Sequence, residues 1–124
     1  FATGSGPFAR CGGFLSGTDC WAAVVDSGGN IFARVQEPSQ DTAEARALKS
    51  CADKVGASEC RLIATLSKTQ CWSLAEMPTD PTRWKAATGP SIERAETDAR
   101  WDCERAFGLC EIALTFCADG RRGQ

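Results

Sequence analysis

The sequence predicts an α+β domain in which two tandem β-β-α-β units form a mainly antiparallel sheet, packed by two helices and stapled by disulfides. Three observations carry this expectation. The 124-residue chain holds eight cysteines and no histidine. Thiols at that density persist in a reducing cytosol mainly as metal ligands, and the chain has neither a C-x-x-C pair nor a histidine to build a zinc site, so bridges are expected. The two halves carry the same landmarks in the same order: a Cys-Trp pair (Cys20-Trp21, Cys71-Trp72), an alanine-rich stretch ending in cysteine, and a cysteine-led apolar run. Within the alanine-rich stretches, Ala43, Ala47 and Cys51 recur every four residues, as do Ala95, Ala99 and Cys103. That spacing lays three small side chains along one helix face.

The length suits one domain with a modest core, expected over 1–124. Residues 1–18, rich in Gly and Ser, read as an irregular N-terminal arm. Repeat unit one is expected over 19–66, unit two over 71–117, and a flexible tail over 118–124. In unit one, Trp21 to Val25 and Ile31 to Val35 flank Asp26-Ser27-Gly28-Gly29-Asn30, whose glycines and Asn suit a hairpin turn. Pro38 ends the second strand. Asp41 and Glu44 give a start signal resembling a capping box, so a helix is expected from about Thr42 to Val55, stopped by Gly56. Cys60 to Leu66 follows as a buried strand.

Unit two repeats the order. Cys71 to Ala75 is a strand, and Glu76 to Arg83, with Pro78 and Pro81, reads as a stiff exposed loop. Trp84 to Thr88 is a second strand. Pro90 and Ser91 open a helix that runs to Phe107 and stops at Gly108, and Cys110 to Phe116 closes the unit. Each helix should lay its small ridge on the sheet made by both units, with Leu48, Val55, Ile92, Trp101 and Phe107 filling the flanks.

These landmarks resemble the bacterial exported domain-of-unknown-function family 4189. The residues that carry the resemblance are Ala43-Glu44-x-x-Ala47-x-x-x-Cys51, Cys60-Arg61-Leu62-Ile63, Cys71-Trp72-Ser73-Leu74-Ala75, Trp84-Lys85-Ala86-Ala87, Ala95-Glu96-x-x-Ala99 and Cys117. The resemblance implies export and this fold, and no activity. The arm with Cys11 and the strand-leading Cys20 depart from the family's core pattern.

Eight cysteines allow about a hundred pairings, so only local ones can be argued. Cys51 ends a helix and Cys60 opens a strand after a short glycine-containing turn, a geometry that brings two Cα atoms within bridging reach. Cys103 and Cys110 repeat it. Cys71 begins the first strand of unit two and Cys117 ends its last, so their bridge would close the sheet, and Cys11 is left to tie the arm to Cys20.

The expected compartment is secreted or periplasmic. A chain beginning at Phe1 without Met agrees with a mature protein whose signal peptide has been removed. No apolar run approaches the roughly 20 residues of a bilayer-spanning helix, so no membrane span is expected. A formal charge of -2 gives no field to draw in nucleic acid. No cofactor, metal or catalytic residue is expected, because the absence of histidine removes the usual neutral-pH base. Glu44 and Glu96 sit near helix starts, where the dipole stabilises a carboxylate. Lys49 and Lys54 read as a solvated helix face.

The candidate binding residues are the four tryptophans, Trp21, Trp72, Trp84 and Trp101, with Phe8 and Phe14 in the arm. The leading expectation is a non-enzymatic binding protein recognising another protein, as an inhibitor or immunity factor does. The alternatives are a secreted effector or hydrolase working through two carboxylates, and a structural or antigenic surface component.

Overall fold

The computed structural model describes residues 20–123. The arm expected over 1–18, with Phe8, Cys11 and Phe14, lies outside the described residues. The elements are β1 (Trp21–Ser27), β2 (Asn30–Glu37), α1 (Gln40–Val55), a 3-10 turn (Ala57–Glu59), β3 (Arg61–Ser67), β4 (Cys71–Met77), β5 (Asp80–Gly89), α2 (Ile92–Phe107) and β6 (Glu111–Cys117). The expected shared sheet is instead two three-stranded antiparallel sheets, of order β2-β1-β3 and β5-β4-β6. In each, a two-residue turn pairs the second strand with the first, and the helix returns the third strand to the first strand's other side. The central strand is then fully paired by its own neighbours. The chain divides accordingly into two compact units, one running to Lys68 and taking in Ala118–Gly120, the other Thr69–Cys117 with the residues from Arg121. No helix among the described residues is long and apolar enough to cross a membrane.

In the first unit, Gly28 and Gly29 both have positive φ, which the two-residue hairpin turn requires, and the Gly29 amide donates to Asp26 Oδ1 at 2.8 Å. Helix α1 begins two residues before the expected Thr42. Its cap is Ser39, in extended backbone after Pro38, whose hydroxyl accepts from the Thr42 amide; the Asp41–Glu44 pair does not cap it. Helix α2 starts the same way after Pro90-Ser91, with Ser91 accepting from the Arg94 amide. The Pro-Ser dipeptide is thus the start signal of both helices. Ala43, Ala47 and Cys51 are fully buried and meet Ala23 and Val25 of β1, with Trp21, Phe32, Leu48 and Cys60 packed around them. In the second unit Ala99 and Cys103 meet Ala75 and Cys110, while Ala95 meets Cys71 and Cys117.

Val55 and Trp101, expected to flank these cores, are exposed. Trp101 lies two residues from both Ala99 and Cys103, so at about 100° per residue it points away from the buried ridge. Val55 is the last residue of α1, beyond the end of the buried row at Cys51.

Disulfides join Cys51 to Cys60, Cys71 to Cys117 and Cys103 to Cys110, and Cys20 is also disulfide-bonded. Bridges of this number fit an oxidising compartment.

Two expectations about the strands need correction. The segment read as a loop, Glu76 to Arg83, is mostly strand: β4 ends at Met77, Pro78 and Thr79 make the turn, and β5 begins at Asp80. Glu76 opposes Trp84 while Met77 opposes Asp80, which leaves Pro81, Thr82 and Arg83 bulged out of the ladder. An edge-strand bulge is where a proline without an N–H is tolerated.

The second correction concerns the Cys-Trp pairs, which are not in equivalent places. Trp21 opposes Ser67, while in the other sheet Cys71 opposes Cys117 and Trp72 opposes Phe116. Both sheets bulge after the same rung, Val24–Ala64 in one and Leu74–Leu114 in the other, leaving Ile63 and Ala113 unpaired. Counted from that bulge, Cys71 holds the place of Trp21. A shift of one residue reverses the face of a side chain, so Trp21 faces α1 whereas Trp72 packs on Phe116 on the side away from the α2-facing Cys71.

The tail expected to be flexible is tied down. Ala118 is fully buried, Cys117 donates its amide to the Arg121 carbonyl at 2.8 Å, and Gly123 donates to the Thr115 carbonyl at 3.0 Å.

Candidate recognition surface

Glu44 and Glu96 each carry a carboxylate into the first half of a helix, and each reaches the third strand of its own unit. Thr65 Oγ1 donates to Glu44 Oε2 at 2.8 Å, and Thr115 Oγ1 donates to Glu96 Oε2 at 2.7 Å. Thr115 has one hydroxyl proton and gives it to Glu96, so the Ser73 hydroxyl, 2.9 Å away, donates to Thr115. Both carboxylates therefore latch helix to sheet. Each is engaged within its own unit, Glu96 beside the buried Thr115 and Ser73.

The tryptophans separate by placement. Trp21 is half-buried against the first core. Trp72 is 2% exposed, its ring centroid 5.5 Å from that of Phe116, which leaves no face for a partner. Trp84 is half-buried on β5. Trp101 is 60% exposed. Phe8 and Phe14 lie outside the described residues.

Each unit has a groove between its second strand and the outer side of its helix. In the first it is an open space of about 760 Å³ lined by Asn30, Ile31 and Phe32 of β2 and by Ser50, Asp53 and Lys54 of α1. In the second it is smaller, about 320 Å³, and lined by Lys85, Asp102, Arg105 and Ala106. The positions correspond. Phe32 opposes Val25 and Lys85 opposes Ala75, each one residue past the shared bulge, and the helix residues stand at the same offsets from Cys51 and Cys103. Lys85 and Arg105 fill the space that Phe32 and Asp53 leave open.

Around the second groove, cations and aromatic rings interleave. Arg83 and Lys85 lie over the Phe107 ring, 5.8 and 5.9 Å from its centroid, and Arg105 lies 6.0 Å from that of Trp101. Such contacts hold a long cationic side chain across an aromatic face while its charge stays in water. Asp80 turns the bulge at the edge of this region. Its carboxyl is held below the usual carboxylate range, chiefly by the Thr82 hydroxyl, against an opposing desolvation, with the Thr82 amide and Arg83 adding to the lowering.

A family model for a domain of unknown function, DUF4189, matches residues 21–117. The chain belongs to the DUF4189 family. No curated protein and no solved structure matches it. The DUF4189 match runs from the first residue of β1 to the last of β6, and so takes in both grooves and the Cys51–Cys60, Cys71–Cys117 and Cys103–Cys110 bridges.

Of the residues the sequence singled out, the DUF4189 fold offers Trp101 to solvent and brings it to Arg105. Arg83, Lys85, Arg105, Phe107 and Leu109, the last 77% exposed, were not among the candidate binding residues. Trp101 enters the candidates only as one of four tryptophans; its offset from the Ala95–Ala99–Cys103 ridge is the signal that sets it outside the core. The cations carried no signal, because their gathering depends on how β5 lies along α2.

Proposed function

We propose that this DUF4189 chain is a secreted or periplasmic, non-enzymatic binding domain made of two copies of one β-β-α-β unit. It recognises another protein, in the manner of an inhibitor or immunity factor, through the α2–β5 face of its second unit. The shared bulge, the shared Glu–Thr latch and the paired small-residue ridges support the two-copy reading. The bridges support export. In this reading Glu44 and Glu96, each engaged by a threonine of its own unit, are structural latches.

The observation that carries the recognition reading is Trp101. Solvent exposure of a tryptophan at 60%, beside the Arg105 guanidinium, leaves a large apolar face that protein contacts characteristically cover. Trp and Arg are the residue types that dominate binding energy at protein interfaces.

The test is affinity capture from the exported fraction of the producing cells or their competitors, with wild type, Trp101→Ala and Arg105→Glu side by side. The reading expects one partner retained by wild type and lost from both variants, with Lys54→Glu in the first unit's groove capturing it normally. A partner held equally by all four proteins would refute the assignment of this face.

A further inference from the structure

We propose that the second unit binds an extended acidic segment of its protein partner, added as a strand to the open edge of β5, with carboxylates at every second position meeting Lys85 and Arg105. This rests on the protein-recognition reading above and names the chemistry of the partner.

The first support is backbone. Beyond its Pro81–Arg83 bulge, β5 is a regular edge strand from Trp84 to Gly89, and among the described residues its backbone pairs only with β4. The edge of β6, and that of β2 at one residue, carry backbone partners from the tail. The tail closes the outer side of β6, through the Cys117–Arg121 and Gly123–Thr115 bonds and the Phe116–Arg122 bridge, and Gln36 of β2 donates to Ala118. An unpaired edge offers a row of donors and acceptors to an extended chain. β3 is an edge as well, but its one cation, Arg61, is engaged by Asp26.

The second support is charge. Arg83 and Lys85, two residues apart, lie on the face of β5 that overhangs Phe107, and Arg105 lines the same groove as Lys85. Asp80 holds Arg83 at 3.2 Å. Lys85 and Arg105 have no carboxylate within ion-pair distance among the described residues, although Asp102 shares their groove. Two cations against one carboxylate leave the groove wanting anionic groups.

Geometry then sets the pattern. In an added strand, alternate side chains fall on one face about 7 Å apart. Acids at alternate positions would all point toward Lys85 and Arg105, and the apolar residues between them toward the Trp84 side of the strand.

The experiment titrates the full chain against three labelled peptides by fluorescence anisotropy: alternating Glu and Val, alternating Lys and Val, and the Glu-Val peptide N-methylated at every peptide nitrogen. The Glu-Val peptide should bind about tenfold or more tighter than either of the others, and weaken by a similar factor in high salt. Lys85→Glu with Arg105→Glu should abolish the preference for Glu over Lys, and Lys54→Glu should leave it intact. Circular dichroism and disulfide mapping check folding, with Lys85→Gln/Arg105→Gln used if the charge reversal misfolds. Equal binding of the N-methylated peptide would overturn strand addition while leaving the capture result to judge protein recognition. Equal binding of Glu and Lys peptides, or no binding of either, would overturn the acidic-segment proposal. So would a single-stranded DNA of equal charge binding as tightly, which would assign the face to polyanions.

Discussion

Where the second unit sets Cys71, Cys117 and Gly89 across the end of its sheet, the first sets Trp21, Ser67 and Glu37. In the second unit a disulfide spans the two strands, and Gly89 lets the chain pass against the first turn of α2, where an added Cβ would stand 2.9 Å from the Ala95 nitrogen. In the first unit that place holds a fully buried carboxylate. Glu37 accepts from Arg46 of α1 at 2.7 Å and has Arg34 at 3.5 Å, too far for a good hydrogen bond. One unit fastens this corner covalently and lets the helix close in, and the other fastens it by an ion pair between strand and helix. The ridge, bulge and Glu–Thr latch are common to the two units, while the corner and the groove differ between them.

Removing the corner bridge gives the largest effect. Cys71→Ala/Cys117→Ala opens a 46-residue separation and should cost about 4 kcal/mol by chain entropy, against about 2 to 3 kcal/mol for Cys51→Ala/Cys60→Ala with its separation of 9. Denaturant unfolding of both variants measures this, and equal costs would break the comparison. Next comes Gly89→Ala, whose Cβ meets helix backbone that cannot yield easily, at about 2 to 3 kcal/mol in the same assay.

The latch should be asymmetric too. Thr115→Val removes the donor to Glu96 and the acceptor of Ser73 in a buried site, for about 2 kcal/mol. Thr65→Val, half-buried and opposite Ala23 where Thr115 has Ser73, should cost about 1 kcal/mol. The smallest effect belongs to Asp80. Its folded pKa is depressed, so its contribution is present at neutral pH and lost as pH falls through the acidic range. The stability difference between wild type and Asp80→Asn should shrink between neutral and acid pH, read from thermal unfolding across that range.

Much of the fold was legible because local spacing reports local geometry. Alanines and cysteine at four-residue spacing gave the buried ridges, and Cys51–Cys60 and Cys103–Cys110 lie close along the chain between a helix end and the next strand. Pro90-Ser91 marks one helix start, and at Pro38-Ser39 the acidic residues that follow, Asp41 and Glu44, mask the same signal. Register was not legible. The identical Cys-Trp pairs invited a one-residue error that only the bulge at Ile63 and Ala113 exposes, and the same shift sends Trp72 away from α2. Proline spacing suggested a loop where a bulged edge strand absorbs Pro81. The recognition face was half visible, since Trp101 could be named but its cations come from β5, brought alongside by tertiary packing.

Amide hydrogen exchange of the full chain, with and without saturating Glu-Val peptide, tests most directly that the second unit's face and not the first unit's groove is the recognition surface. Protection should rise in β5 and the C-terminal half of α2 and stay unchanged in β2 and α1. Protection appearing in β2 and α1 instead would contradict the account.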